Sequence, residues 1–71
     1  DVLHTEFVMN SSSSLNISVV DVAGRLVISE QRNLDAGVQD INLNTSSLPA
    51  GIYILELNDG SRSINKRFIK N

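Results

Sequence analysis

Apolar and polar positions alternate along this chain in short runs and never settle into helical spacing. Leu15-Asn16-Ile17-Ser18-Val19-Val20 places Leu15, Ile17 and Val19 on one face and Asn16 and Ser18 on the other, the two-residue period of a half-buried strand. Val2 to Val8 alternates likewise, with Leu3, Thr5 and Phe7 on one face and Val2, His4, Glu6 and Val8 on the other. The densest apolar run, Ile52-Tyr53-Ile54-Leu55, follows Leu48-Pro49-Ala50-Gly51 and reads, over 48–57, as the central strand, paired on both sides. Pro49 drives Leu48 toward an extended backbone and Gly51 is free to take an angle few residues tolerate, so a tight corner should deliver the chain into this strand.

Turn residues punctuate the rest. Asn10 to Ser14 reads as a loop, since four serines and an asparagine bury no apolar area. In Asp21-Val22-Ala23-Gly24 the aspartate can bond its own backbone and Gly24 can take a positive φ, which predicts a turn. A strand follows from Arg25 to about Gln31, and because Leu26-Val27-Ile28 is apolar on both faces it is expected inside its sheet. Leu34-Asp35-Ala36-Gly37-Val38 has the form of Leu48 to Ile52 and reads as the same corner chemistry used twice, with Gly37 in the place of Gly51. Val38 to Leu43 then forms a strand with Ile41 and Leu43 inward, and Asn44 to Ser47 a loop. Asp59-Gly60 predicts a two-residue hairpin with positive φ angles, after which Ser61 to Asn71 returns as the last strand, its apolar residues being Ile64, Phe68 and Ile69. No segment repeats at i, i+3, i+4, so no helix is predicted. Six strands, or seven if a segment divides, predict an all-β antiparallel sandwich.

Composition narrows the function classes. A chain of 71 residues makes one small domain that can bury only about 60% of its unfolded surface. Its aromatic content of 4% leaves the core to Leu, Ile and Val. The net charge of −2 argues against nucleic acid as the main partner, because phosphate binding needs clustered positive charge. The longest purely apolar run, Ile52 to Leu55, is far short of the roughly 20 residues of a bilayer span, and no signal-peptide pattern opens the sequence. With no cysteine there is no disulfide, thiol nucleophile or thiolate metal site, which favours a cytosolic protein or a module attached to something larger.

Candidate chemistry is sparse. The one histidine, His4, reads as an ordinary surface or half-buried residue, and the carboxylates of Asp1, Glu6, Asp21, Glu30, Asp35, Asp40, Glu56 and Asp59 are scattered singly. Asp35 and Asp40 do not make a calcium loop, and no cofactor is expected. Asn10, Asn16 and Asn44 begin Asn-x-Ser/Thr sequences of the kind that arise by chance in a chain rich in Asn and Ser. Tyr53 reads as a core tyrosine, its ring buried and its hydroxyl bonded to backbone. Four of the six basic residues, Arg62, Lys66, Arg67 and Lys70, fall in the last strand, whereas seven of the eight acids precede residue 57. Such charge discourages edge-to-edge aggregation, or offers a partner a recognisable tail.

The order of these motifs resembles the C-terminal sorting domain of the type IX secretion system of Bacteroidetes. The residues that carry the resemblance are Asp21-Val22-Ala23-Gly24-Arg25-Leu26-Val27, Leu34 to Gly37 with Ile41 and Leu43, Leu48-Pro49-Ala50-Gly51-Ile52-Tyr53-Ile54-Leu55, and Lys66-Arg67-Phe68-Ile69-Lys70. The resemblance implies an immunoglobulin-like sandwich and a secretion signal, not an enzyme. Such a domain follows a larger cargo protein, to which it is covalently attached, and is read in the periplasm by the outer-membrane translocon. A sortase at the cell surface removes it. By position, Gly24, Gly51 and Tyr53 match shape-determining residues of the family, and Lys66 to Lys70 the segment on which export depends. The chain opens at Asp1 without the Pro-Asn-Pro-like stretch usual before the first strand, which implies a fragment or a cleaved product.

The expected localisation is therefore the periplasm, in transit to the outer-membrane surface or the extracellular space. The expected partners are the translocon, which reads Lys66, Arg67, Phe68, Ile69 and Lys70, and the sortase. Open strand edges also admit self-association. The residues expected to shape turns and core are Asp21, Gly24, Gly37, Pro49, Gly51, Tyr53, Asp59 and Gly60. The rival class is an adhesive or carbohydrate-binding module of a surface protein, which requires exposed aromatic side chains in line or a calcium site. A structural spacer is the second rival, and it predicts a dispensable tail.

Overall fold

The computed structural model describes residues 2–71, so Asp1 lies outside the described residues. Its six strands are β1 (Val2–Met9), β2 (Ser13–Asp21), β3 (Leu26–Leu34), β4 (Gly37–Asn44), β5 (Gly51–Asn58) and β6 (Ser63–Lys70). β1 pairs with β4 as a narrow two-stranded sheet, and β3-β2-β5-β6 form a four-stranded sheet, every pairing antiparallel. Among the described residues there is no helix, and hence none long and apolar enough to cross a membrane.

The apolar face of each strand becomes the space between the sheets. Phe7 and Met9 of β1, Leu15, Ile17 and Val19 of β2, Ile41 and Leu43 of β4, and Tyr53, Leu55 and Leu57 of β5 are all buried in one cluster. Leu3 packs against it and Thr5 is buried beside it, so Leu3, Thr5 and Phe7 form the inward face of β1. Burying an aliphatic side chain of this size stabilises by about 1.5–3 kcal/mol. A one-residue slip of β2 would turn Leu15, Ile17 and Val19 to water together, and this cost fixes the register.

β5 is central as predicted, between β2 and β6, but β3 is an edge strand and not an interior one. The β2–β3 register shifts between Val19 and Val20, which pair with Ile28 and Leu26 and leave Val27 unpaired. This bulge explains three apolar residues in a row on an edge, for Leu26 points outward and is 56% exposed. The serine loop is shorter than predicted, because Ser13 and Ser14 pair with Leu34 and Asn33, and β3 correspondingly runs to Leu34.

The two corners do not share one chemistry. Gly37 has φ +113°, whereas Gly51 is not among the positive-φ glycines, and a Cβ added to it would meet the Tyr53 ring at an ordinary 3.8 Å. Gly51 is therefore tolerated at its position but not required there. The hairpin also departs from expectation. Asn58 pairs with Ser63, the Asp59 N–H donates to the Arg62 carbonyl at 3.1 Å, and Gly60 (φ +96°) alone in this loop has a positive φ. The reversal thus centres on Gly60-Ser61, one residue later than Asp59-Gly60, and the Asp59 side chain is freed to cap it.

Candidate functional site

The basic segment singled out from the sequence lies on β6, which pairs only with β5 and so forms the other edge of the wide sheet. The register sets Gly51, Tyr53, Leu55 and Leu57 opposite Lys70, Phe68, Lys66 and Ile64. Residues directly opposite share a face, so these β6 side chains point between the sheets while Ser63, Asn65, Arg67 and Ile69 point away. Lys66-Arg67-Phe68-Ile69-Lys70 is accordingly divided between two faces.

The inward half is built into the fold. Lys70 Nζ donates to the carbonyls of Thr45 at 2.7 Å and Leu48 at 3.0 Å. Phe68 stacks on Tyr53, whose hydroxyl donates to the Pro49 carbonyl at 2.6 Å. Leu48 is buried and its N–H donates to the Thr45 carbonyl at 3.0 Å, which closes the turn that Lys70 caps. The corner around Pro49 and the terminal strand are therefore one construction, although the sequence suggested separate roles for them. Lys66 Nζ crosses to β1 and donates to Thr5 Oγ1 at 3.2 Å. The outward half is free of such ties: Ile69 is 63% exposed, and the Arg67 side chain makes no hydrogen bond or ion pair among the described residues.

Cations on the edges of the wide sheet also reach the open edges of the narrow one. The Arg62 guanidinium donates to the Val8 carbonyl of β1 and lies over the Phe7 ring, 5.0 Å from its centroid. On the opposite side Arg32 pairs with Glu30 at 3.2 Å and donates to the Asn42 carbonyl of β4 at 2.9 Å. Charged side chains placed against an open strand edge hinder its pairing with another sheet, the aggregation-blocking role considered for the C-terminal cations, Arg62 among them. Alternation in Ile64-x-Lys66-x-Phe68-x-Lys70 could have revealed the inward lysines. Nothing local to Arg62 or Arg32 signals their long-range partners.

The predicted aspartate turns are present. Asp21 Oδ1 accepts from the N–H groups of Ala23 at 3.0 Å and Arg25 at 2.9 Å, Oδ2 meets Arg25 Nε at 3.1 Å, and Gly24 turns with φ +85°. The Arg25 N–H, with help from that of Ala23 and the Arg25 charge, holds the Asp21 carboxyl below the usual carboxylate range. Asp59 Oδ1 accepts from Arg62 N–H at 2.7 Å and Ser61 N–H at 2.9 Å, and its carboxyl is lowered chiefly by that Arg62 bond. His4 Nδ1 donates to Asn42 Oδ1 on the outer face of the narrow sheet, where Glu6 stands opposite Asp40. No group of three His, Cys, Asp or Glu among the described residues is placed to hold a metal ion.

A family model described as the secretion system C-terminal sorting domain matches residues 2–71, which is every described residue. No curated protein and no solved structure matches the chain. The match spans the Asp21 turn, the Leu34–Gly37 corner, the Pro49 corner and the basic terminal strand, the features on which the resemblance rested, and the sandwich is the fold that resemblance implied. The chain therefore belongs to the type IX secretion system C-terminal sorting domain family.

Proposed function

We propose that residues 1–71 form a single non-catalytic sorting domain that follows a larger cargo protein and directs it through the outer-membrane type IX translocon, with removal by a sortase at the cell surface. The observation that carries this reading is the family match over residues 2–71. Within it, the recognition assigned to Lys66–Lys70 divides by face. Arg67 and Ile69 meet the translocon, whereas Lys66, Phe68 and Lys70 hold the strand against Thr5, Tyr53 and the Thr45–Leu48 turn. The adhesive reading lacks a platform, because the chain's three rings, Phe7, Tyr53 and Phe68, all lie on inward-facing positions.

The test is a fusion of the chain to the C-terminus of a periplasmic reporter in a cell that carries the type IX machinery. Reporter at the surface, accessible to protease added outside the cell, is the expected result. A folded fusion that stays in the periplasm overturns the reading.

A further inference from the structure

The narrow sheet cannot cover the wide one, and β1 and β6 consequently face each other across a slot. β1 pairs with β4 alone, so its other edge is open. The Val8 carbonyl accepts from Arg62, which reaches β1 from the β5–β6 loop, and so marks the side on which Val8 presents its backbone groups. That side alternates along a strand, so Glu6, His4 and Val2 present their N–H and C=O groups to the slot as well. β4 is consistent with this phase, because Asn42, directly opposite His4, also turns its carbonyl outward, to Arg32.

The inner face of β6 floors the slot. Phe68 is half-buried and Ile64 is 41% exposed. A cleft of about 530 Å³ opens where Val2 and Leu3 approach Phe68 and Lys70, and another of about 570 Å³ where Thr5 and Glu6 approach Lys66. Lys66 spans the gap with its ammonium on the neutral hydroxyl of Thr5, and no carboxylate among the described residues is within ion-pair distance of it.

We propose that this slot receives an extended peptide segment of a partner protein, which adds to the open edge of β1 as a third strand of the narrow sheet. Its backbone bonds to Val2, His4 and Glu6, and its alternate side chains lie over β6. The position opposite Thr5 falls on Lys66 and takes a carboxylate. The position opposite Leu3 falls on Phe68 and takes an aliphatic side chain. The position opposite Glu6 points outward beside the Glu6–Asp40 pair, where two like charges face each other, and takes Lys or Arg. Running antiparallel to β1, the occupant reads cation, acid, any residue, aliphatic. Arg62 on Val8 closes one end, which limits the added strand to about five residues or roughly 17 Å. The inference rests on the sorting reading only in assigning the partner to the export machinery; the binding itself is a property of the chain.

The test is nuclear magnetic resonance on the labelled 71-residue chain titrated with the capped peptide Thr-Lys-Glu-Thr-Val-Thr. Saturable shifts along Val2 to Glu6 and Ile64 to Lys70 are expected, with slowed exchange of the His4 and Glu6 amides. Replacing the peptide's Glu by Lys should weaken binding about fivefold, and Lys66→Met, which keeps the apolar stem, should abolish that preference. Absence of binding at millimolar peptide overturns the proposal, as do equal affinities for the two peptides, shifts confined to β3, or a Lys66→Met chain that still prefers the acidic peptide. Should Lys66→Met fail to fold, the peptide pair decides on the unaltered chain. Neither arm involves export, so a slot that fails leaves the reporter test untouched, and a reporter that fails leaves the slot standing.

Discussion

The rings of Tyr53 and Phe68 stack across the β5–β6 pair with centroids 5.6 Å apart and planes 24° from parallel, while the Tyr53 hydroxyl reaches back to the Pro49 carbonyl. One side chain thus fastens both the corner before its strand and the terminal strand beside it. Tyr53→Phe removes only the hydrogen bond and should cost about 1 kcal/mol. Tyr53→Ala removes the buried ring as well and should cost about 3–5 kcal/mol. In urea unfolding, a double-mutant cycle with Phe68→Ala should return a coupling of about 0.5–1.5 kcal/mol. A Tyr53→Ala chain with the wild-type midpoint would contradict the packing described here.

Substitution of two glycines should give effects of opposite sign. Gly24 has φ +85°, a conformation in which any Cβ is strained, so Gly24→Ala should destabilise by about 1 kcal/mol or more. At Gly51 the backbone is ordinary and the new methyl would touch the Tyr53 ring at 3.8 Å without a clash. Gly51→Ala should therefore stabilise by about 0.4–1 kcal/mol through the less flexible unfolded chain. Thermal melts of the two variants check both signs, and destabilisation by Gly51→Ala would show that the corner constrains this backbone after all.

Asp21 and Asp59 make the acid limb of stability predictable. Each carboxyl accepts two backbone N–H bonds and is held below the usual carboxylate range, Asp21 mainly by the Arg25 N–H and Asp59 mainly by that of Arg62. A carboxyl depressed on folding stabilises the fold above its unfolded pKa, about 4, and that contribution is lost as pH falls through the lower folded value. These two groups should leave stability flat near neutrality and lower it below about pH 4. Asp59→Asn keeps an acceptor for the Ser61 and Arg62 N–H groups but does not titrate, so its stability should fall less steeply over that window. Identical acid limbs for variant and wild type would remove Asp59 from this account.

Much of the fold was legible in the alternation of Leu15, Ile17 and Val19 and of Ile41 and Leu43, because a period of two with one dry face admits one register. The place of β3 in its sheet was not. Leu26-Val27-Ile28 looks buried on both faces, but a bulge at Val19/Val20 shifts the phase, and bulges depend on the partner strand rather than on local sequence. Gly51 illustrates another limit: glycine permits a left-handed angle, and only the structure shows whether the angle is used. For the candidate site, charge clustering pointed to β6, yet charge alone could not separate Lys70, tied to the Thr45 and Leu48 carbonyls, from Arg67. That distinction requires the pairing of Tyr53 with Phe68, which sets the phase of the whole strand.

The division of β6 between two faces determines how export should be tested. Removing Lys66 to Asn71 would block export whether the segment is read by a partner or merely needed for folding, since it strips Phe68 from Tyr53 and Lys70 from the Thr45–Leu48 turn. Arg67 avoids that ambiguity because its side chain points outward opposite Ile54 and makes no ion pair among the described residues. Arg67→Glu should leave the unfolding midpoint within the range of an ordinary surface substitution, about 0.5 kcal/mol, and yet reduce surface display of a fused reporter. Phe68→Ala should show the converse dependence, with export falling only as far as stability does and recovering when the cells grow cooler. Normal surface display of a folded Arg67→Glu fusion would mean that the outward face of β6 is not what the translocon reads, and recognition would then have to be sought on another edge of the sandwich.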